Sequence, residues 1–136
     1  MENKQIGANR KDVFDFAKEK FGQSPEYLWQ KFPDYAVLRC TDNKKWYAVI
    51  GSVEKSKIGL KGAGKTDVLV IKCDPQARDV LLHEKGIIPA YHMNKERWIS
   101  AVLDGSVRKK LVLGLIEESF DLVKPKSRKT VLGESL

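Results

Sequence analysis

Three segments rich in aromatic and β-branched residues follow one another between residues 35 and 73. They are residues 35–40 (YAVLRC), 46–53 (WYAVIGSV) and 67–73 (DVLVIKC). Such segments are typical of β-strands, and the loop at 41–45 has the Asp and Asn that favour a tight turn. Because turns of this kind join antiparallel neighbours, we expect the three strands to form an antiparallel meander.

Helical patterns lie on both sides of these strands. Apolar residues recur at helical spacing over residues 10–21, with Asn9 as the N-cap and Gly22 as the C-terminal stop. Four further elements are predicted: a short helical turn at 24–29, a helix at 75–84, a strand at 97–103 and a helix at 106–121. Helices at both ends of the chain can cover one sheet face. The predicted fold is therefore α+β, an antiparallel sheet meander with helices packed on one face in a two-layer sandwich.

The chain has 136 residues, which is enough for one domain. We predict a single domain over residues 1–123 and a basic, flexible tail over 124–136. The apolar runs are much shorter than the ~20 residues of a membrane span, and the first residues contain no apolar signal segment. Two cysteines without a Cys-x-x-Cys motif favour reduced thiols. We therefore expect a cytoplasmic protein without a membrane partner.

The positive charge is concentrated in two regions. The whole chain has 25 Lys and Arg against 18 Asp and Glu, a net charge of +7. Residues 39–65 carry seven positive and two negative charges, and residues 124–136 carry four positive and one negative. The rest of the chain has a net charge of −1. Such a distribution favours a polyanionic partner, nucleic acid in particular.

Several segments resemble the MmcQ/YjbR family. The segment at 91–100 (YHMNKERWIS) is similar to the family's signature, and further similarity lies at 25–39, 45–50, 69–75 and 117–123. The resemblance extends over residues 10–123. It implies a fold like that of CyaY, the bacterial frataxin, and a DNA-binding protein without an established activity. The family often has His before the Trp of the signature, where this chain has Arg97, a cation that suits phosphate.

The basic residues of the predicted loops are the first candidates for a site. Loops 41–45 and 54–66 would lie at opposite ends of the second strand, as two wings, and glycines in the second loop let its backbone approach phosphate. Lysine carries little base information. We therefore predict a non-enzymatic, monomeric protein that contacts the phosphate backbone of duplex DNA with little sequence specificity. The predicted nucleic-acid-binding residues are Arg39, Lys44, Lys45, Lys55, Lys57, Lys61, Lys65, Lys95 and Arg97.

The segment at 91–98 supports an alternative function. It combines aromatic rings, an imidazole, an amide and cations, a mixture that binds phosphate or stacks on a base. Equally, its polar groups can satisfy the local backbone while its rings pack. The alternative is a protein- or small-ligand-binding module with a site on Tyr91, His92, Asn94, Lys95 and Trp98.

Patterns for catalysis or metal binding are weak. Residues 59–66 (GLKGAGKT) match the phosphate-binding P-loop pattern, but a strand follows Thr66 where that loop needs a helix, so we interpret the match as coincidental. The residues that could serve as soft metal ligands are not spaced as in known zinc sites. They are Cys40, Cys73, His83 and His92. An acidic stripe at Asp12, Asp15 and Glu19 is diluted by neighbouring lysines. We predict no catalytic residue, no metal and no cofactor.

Overall fold

The computed structural model describes residues 7–125 as a five-stranded sheet with three helices. The helices are α1 (Arg10–Phe21), α2 (Pro75–Leu81) and α3 (Lys109–Val123). The strands are β1 (Ala36–Arg39), β2 (Trp46–Glu54), β3 (Lys65–Lys72), β4 (Ile87–Pro89) and β5 (Trp98–Val102). The sheet order is β1-β2-β3-β5-β4, and every neighbouring pair is antiparallel. The predicted α+β fold with a β1-β2-β3 meander is confirmed.

Local sequence signals place both ends of α1 as predicted. The Asn9 side chain accepts a hydrogen bond from the Asp12 backbone N–H at 2.9 Å, and the Asp12 carboxylate accepts from the Asn9 N–H at 3.0 Å. This reciprocal capping satisfies two donors that the first turn leaves without partners. Gly22 ends the helix in the left-handed region, with φ of 72°.

Two predicted segments differ from the structure. The helical turn expected at 24–29 is wrong, because Glu26 and Val37 exchange two backbone hydrogen bonds of 2.9 Å and this part of the chain is extended. Strand β4 was missed, since its three residues lie at the sheet edge and are too few to show a periodic pattern. The last helix begins at Lys109, three residues after its predicted start at 106.

Helices α1 and α3 pack against one face of the sheet and form the main core with it. The strands contribute large aliphatic side chains, among them Leu69 and Ile71, and the helices contribute Val13, Val112 and Ile116. All five are inaccessible to solvent. Burial of these side chains is the main source of stability, at about 25 cal/mol for each Å² of apolar surface.

A β-bulge links this core to α3. Leu38 pairs with Ala48, but Arg39 pairs with Trp46, so Tyr47 is an extra residue in β2. The buried Ser119 hydroxyl donates a hydrogen bond to the Tyr47 carbonyl at 2.6 Å and accepts one from the backbone N–H of Lys72 at 2.9 Å. Ser119 therefore connects α3 to both β2 and β3.

The opposite sheet face is also buried, although no α-helix of residues 7–125 covers it. Its core consists of the small side chains of Val37, Val49, Val53, Val68, Val70 and Ala90. Aromatic residues from residues 26–35 and from the loop 90–97 pack over these side chains. This face, which we call the helix-free face because it carries no α-helix within the described residues, contains the site described below.

Residues 126–136 lie outside the described part of the chain, and with them most of the predicted flexible tail at 124–136. Within residues 7–125, no helix has the length and apolar character that a membrane crossing requires.

Candidate functional site

An aromatic pocket of about 300 Å³ opens on the helix-free face of the sheet. Its floor is formed by strands β2 and β3 and its walls by residues 26–35, by Trp46 and by the loop 90–97. The lining residues are Trp29, Phe32, Tyr35, Trp46, Val49, Gly51, Val53, Val68, Val70, Tyr91, His92 and Met93. We call this cavity the aromatic pocket.

The floor follows from the alternation of side chains along the two strands. Val49 and Val53 of β2 face the same side as Val68 and Val70 of β3, because Val49 pairs with Val70 and the sheet has a period of two. Gly51 lies between the two β2 valines. A Cβ atom at this position would lie 2.7 Å from Cζ of Tyr35, so the absence of a side chain gives the ring its place.

The first wall is a group of rings held edge to face. The centroids of Trp29 and Trp46 are 5.8 Å apart with their planes at 86°, and those of Trp29 and Tyr35 are 6.3 Å apart at 81°. Such geometry is favourable for aromatic pairs. Phe32 completes the wall and is 53% exposed, an apolar ring at the mouth of the pocket.

The predicted DNA contact Arg39 holds this wall in place. Its Nε and Nη2 donate to the two carboxylate oxygens of Glu26 at 3.0 and 2.8 Å. Glu26 also pairs through its backbone with Val37. The bidentate contact therefore fixes the start of the segment that carries Trp29 and Tyr35. It also engages the Arg39 guanidinium, the group that was predicted to contact DNA, in an ion pair within the protein.

The second wall is the loop 90–97. The rings of Tyr91 and His92 lie side by side, with centroids 3.9 Å apart. The backbone N–H of Tyr91 donates to the buried Ser100 hydroxyl at 3.0 Å. His92 has a φ of 63°, in the left-handed region that residues other than glycine rarely adopt. Strain of this kind is concentrated at functional sites, and here it accompanies an imidazole that lines the pocket.

Two polar residues of the same segment serve the loop itself. The Asn94 side-chain oxygen accepts from the backbone N–H groups of Glu96 and Arg97 at 2.9 and 3.1 Å. The Lys95 ammonium donates to the Ala90 carbonyl at 2.7 Å. Trp98 packs on the same valine core but does not line the pocket. Of the five residues predicted for the alternative site, the structure therefore brings Tyr91 and His92 to the pocket.

The electrostatics of the pocket favour a neutral, apolar interior. Among the described residues that line it, none is a carboxylate or a lysine. Burial raises the pKa of the Tyr35 phenol, and the neighbouring Tyr91 and Asp34 raise it further. Tyr35 therefore remains a neutral hydroxyl that can donate a hydrogen bond. The arrangement suits a planar or apolar group that is oriented by phenols and an imidazole.

A second groove continues from the mouth of the aromatic pocket and is lined by charged residues, which the pocket lacks. Phe32, Tyr35, Val53, Tyr91 and His92 line both cavities. The charged residues along the groove are Lys31, Asp34, Glu54, Lys57 and Lys65. We call this cavity the lysine groove.

The predicted nucleic-acid-binding residues form two groups at opposite ends of β2. Arg39, Lys44, Lys45, Lys95 and Arg97 lie near its first residue, and Lys55, Lys57, Lys61 and Lys65 lie near its last. The nine residues of β2 separate the groups by about 30 Å, at 3.3 Å per residue. Of the nine, Lys57 and Lys65 line the groove beside the aromatic pocket.

The loop with the P-loop pattern is a closed turn. Lys55 begins a short 3-10 helix, and its backbone N–H donates to the Gly64 carbonyl at 3.0 Å. Gly62 and Gly64 have positive φ angles of 97° and 94°. Lys65 and Thr66 are the first residues of β3, so a strand follows the pattern, as predicted.

The candidate metal ligands serve other purposes. Within residues 7–125, no three His, Cys, Asp or Glu side chains come close enough to share a metal ion. In the acidic stripe, Asp12 caps α1 and Asp15 pairs with Lys11 at 2.8 Å. Cys40 and Cys73 are buried, free thiols, and burial raises the pKa of Cys73.

Most of the aromatic pocket was missed at the level of sequence. Trp29, Phe32, Tyr35, Trp46 and Met93 were not among the predicted site residues. A signal was present, however. The strand segments are nearly continuous apolar runs, without the alternation of a strand that is wet on one side. Such runs indicate a sheet buried on both faces, and hence a second apolar layer.

The chain is similar to known proteins in both sequence and structure. The uncharacterised protein YyaQ of Bacillus subtilis strain 168 is 49% identical over 115 residues, which is 85% of this chain and 98% of that protein. A crystal structure of a Pseudomonas syringae protein has a TM-score of 0.83 at 44% identity, and covers 86% of this chain and 100% of its own. The solution NMR structure of a Pseudomonas syringae protein has a TM-score of 0.80 at 42% identity, over 89% and 97% of the two chains.

A more distant structure shows the fold alone. The Deinococcus radiodurans protein DR2400 is 22% identical, with a TM-score of 0.69 over 95% of this chain and 90% of its own. The YjbR family model matches residues 19–122, which include both walls and the floor of the aromatic pocket. The resemblance drawn from the segment 91–100 is thereby confirmed, and the chain belongs to the YjbR family.

Proposed function

We propose that the protein is a non-enzymatic binding module that takes its ligand in the aromatic pocket. The observation that carries this proposal is the convergence of aromatic rings from three separate segments over a valine floor. The rings leave about 300 Å³ between them. A volume at the lower end of the range for small-molecule sites suits a single ring system.

The packing around the pocket supports the same conclusion. Gly51 leaves space for the Tyr35 ring, and the contact of Arg39 with Glu26 fixes the segment that carries Trp29. At the mouth of the pocket, His92 has a strained, left-handed backbone conformation. These features hold the walls apart over an apolar floor. If this face served only to bury apolar side chains, the walls would be expected to pack together and fill the cavity, since protein interiors are close-packed.

Ligand-observed NMR with indole as the probe tests the proposal. Irradiation of protein methyl groups transfers saturation to a probe that lies on the valine floor. We expect transfer with the unmodified chain and its loss in Val53→Phe, because the larger ring fills the pocket. The matched control is Val80→Phe, where the original side chain is 70% exposed on α2.

Tyr91→Ala gives a second variant in case Val53→Phe fails to fold. It removes one wall from a loop and leaves the strands intact, so we expect weaker saturation transfer in a folded protein. Equal transfer in the original chain, Val53→Phe and Tyr91→Ala would overturn the proposal.

Binding of duplex DNA is the second candidate function. It is favoured by the lysines of the second hairpin, since Lys57, Lys61 and Lys65 are exposed and form no ion pair within residues 7–125. Glycines with positive φ beside them let the backbone approach phosphate. Contacts of this kind carry affinity without sequence information.

Salt dependence tests the second candidate. A labelled duplex of about 20 base pairs, roughly 68 Å long, reaches both ends of β2. We expect its binding to weaken steeply with salt, and neutralising Lys57, Lys61 and Lys65 to reduce the slope of log K against log[salt] by about 2.7. The control neutralises Lys18 and Lys110, which are exposed on the helical face. Absence of binding at low salt would exclude this function.

A further inference from the structure

We propose that the ligand of the aromatic pocket is a nucleobase whose attached phosphate lies in the lysine groove. This inference rests on the proposed function, since it names the ligand class of the same pocket. Both cavities contribute to it, because the aromatic pocket continues into the lysine groove through five shared lining residues.

The shape of the aromatic pocket favours a flat, rigid group. Its walls are ring faces and edges, with Trp46 and Trp29 at right angles on one side and the paired rings of Tyr91 and His92 on the other. Stacking on aromatic side chains contributes about 1–3 kcal/mol for each base in proteins that bind single strands. The Tyr35 hydroxyl and the His92 imidazole offer hydrogen bonds to the polar edge of a base.

Charge decides between an anionic and a cationic ligand. An aromatic enclosure also suits a quaternary ammonium group, which is attracted to ring faces. The lysine groove carries three lysines against Asp34 and Glu54. Glu54 is the cross-strand neighbour of Lys65 and offsets part of its charge, whereas Lys57 lies outside that pair. The remaining positive charge at the mouth disfavours an ammonium ligand and favours phosphate.

A planar base in the aromatic pocket would extend its sugar and phosphate toward Lys57 and Lys65. Two sources share this chemistry: a free mononucleotide and an unpaired nucleotide of a strand. Lysine recognises phosphate as a point charge in either case. The experiment below includes one arm for each source.

Tryptophan fluorescence provides a direct measurement with the full chain. Trp29 and Trp46 line the aromatic pocket and Trp98 does not, so a Trp98→Phe background isolates the signal of the two pocket residues. The ligands are AMP, adenosine, choline and a single-stranded hexadeoxyadenylate. We expect AMP to quench the fluorescence at lower concentration than adenosine, and choline to have no effect.

Substitution in the lysine groove gives the decisive comparison. We expect Lys57→Ala/Lys65→Ala to raise the Kd of AMP at least about tenfold, because both lysines that face the phosphate are removed, and to leave the Kd of adenosine unchanged. The charge-matched control is Lys18→Ala/Lys110→Ala on the helical face, which should leave both values unchanged. Val53→Phe should weaken both ligands.

The two sources give different results, and both support the inference. A strand as ligand predicts that hexadeoxyadenylate binds at least tenfold more tightly than AMP, and a mononucleotide predicts equal or weaker binding. The inference is overturned if AMP binds no better than adenosine, if the groove and control double variants behave alike, or if choline binds. Indole binding that Val53→Phe abolishes, without AMP binding, would retain the proposed function and refute this ligand class.

Discussion

The ring of Tyr35 lies directly over Gly51, and a Cβ atom at residue 51 would come within 2.7 Å of Cζ of that ring. Gly51→Ala must therefore displace Tyr35 from the wall of the aromatic pocket. We expect a loss of about 1–3 kcal/mol in the free energy of unfolding, as for other overpacked sites. Urea denaturation measures the loss, and the methyl-to-indole saturation transfer should decrease with it.

Gly114→Ala is the matched control, because Gly114 is exposed in α3 and a Cβ atom there meets nothing within 4 Å. We expect this change to stabilise the protein by about 0.5–1 kcal/mol, since glycine is a poor helix former. In a Tyr35→Ala background, Gly51→Ala should reduce the free energy of unfolding by a smaller amount than in the original chain. An unchanged cost in that background would mean that the Tyr35 ring is not the cause.

Ser119 offers a prediction on the opposite face. Its hydroxyl bonds to both the Tyr47 carbonyl and the Lys72 N–H, so Ser119→Ala leaves two buried backbone groups without this partner. We expect a loss of about 1–3 kcal/mol in the free energy of unfolding. Ser56→Ala, at an exposed serine, should change stability little. Indole binding should persist in Ser119→Ala below its unfolding transition, because the helical face does not contribute to the aromatic pocket.

The parts of the fold that could be predicted are those with local causes. Asn9 and Gly22 bound α1 because capping depends on residues within one turn. The β1-β2-β3 meander follows from apolar strands that are consecutive in the sequence and joined by polar or glycine-rich loops. The bulge at Tyr47 could not be predicted, since it depends on the pairing of Leu38 with Ala48 and on Ser119 from a distant helix.

The site was predicted less well, for a related reason. Tyr91 and His92 belong to a segment with a conspicuous composition, and both line the aromatic pocket. Trp29 and Trp46 are 17 residues apart in the sequence, and only the tertiary structure brings their ring centroids to 5.8 Å. Asn94 looked like a ligand-binding side chain, but its oxygen is bonded to the backbone of its own loop. Local sequence shows that a residue is polar, and only the tertiary structure shows which partner it has.

Alkaline pH should destabilise the fold through Tyr47. Burial raises the pKa of this phenol far above its ordinary value, with a smaller contribution from the Cys40 thiol. In the unfolded chain a tyrosine loses its proton near pH 10, whereas in the folded chain Tyr47 retains it. The folded state then binds more protons, so the stability contribution is complete below about pH 10 and decreases as the pH rises toward the folded pKa.

Urea unfolding between about pH 8 and 11 tests this linkage. Tyr47→Phe should be less stable at pH 8 by about 1 kcal/mol, because the hydrogen bond to Gln23 is lost. Above about pH 10 its stability should fall less steeply than that of the original chain. Tyr27→Phe, at a tyrosine that is 55% exposed, serves as the control. Parallel curves for the original chain and Tyr47→Phe would contradict the assignment.

Two substitutions distinguish the effect of the His92 backbone conformation from the effect of its ring. With φ at 63°, His92→Gly relieves the left-handed strain and His92→Ala retains it, so we expect the glycine variant to be more stable than the alanine variant by about 1 kcal/mol. Lys44 has nearly the same angle, 64°, in the β1–β2 loop outside the aromatic pocket. Lys44→Gly and Lys44→Ala should show the same difference in urea denaturation and leave indole binding unchanged. Both His92 variants should weaken indole binding equally, because each lacks the imidazole. A smaller loss of binding in one variant than in the other would show that the backbone, and not the ring, forms this wall.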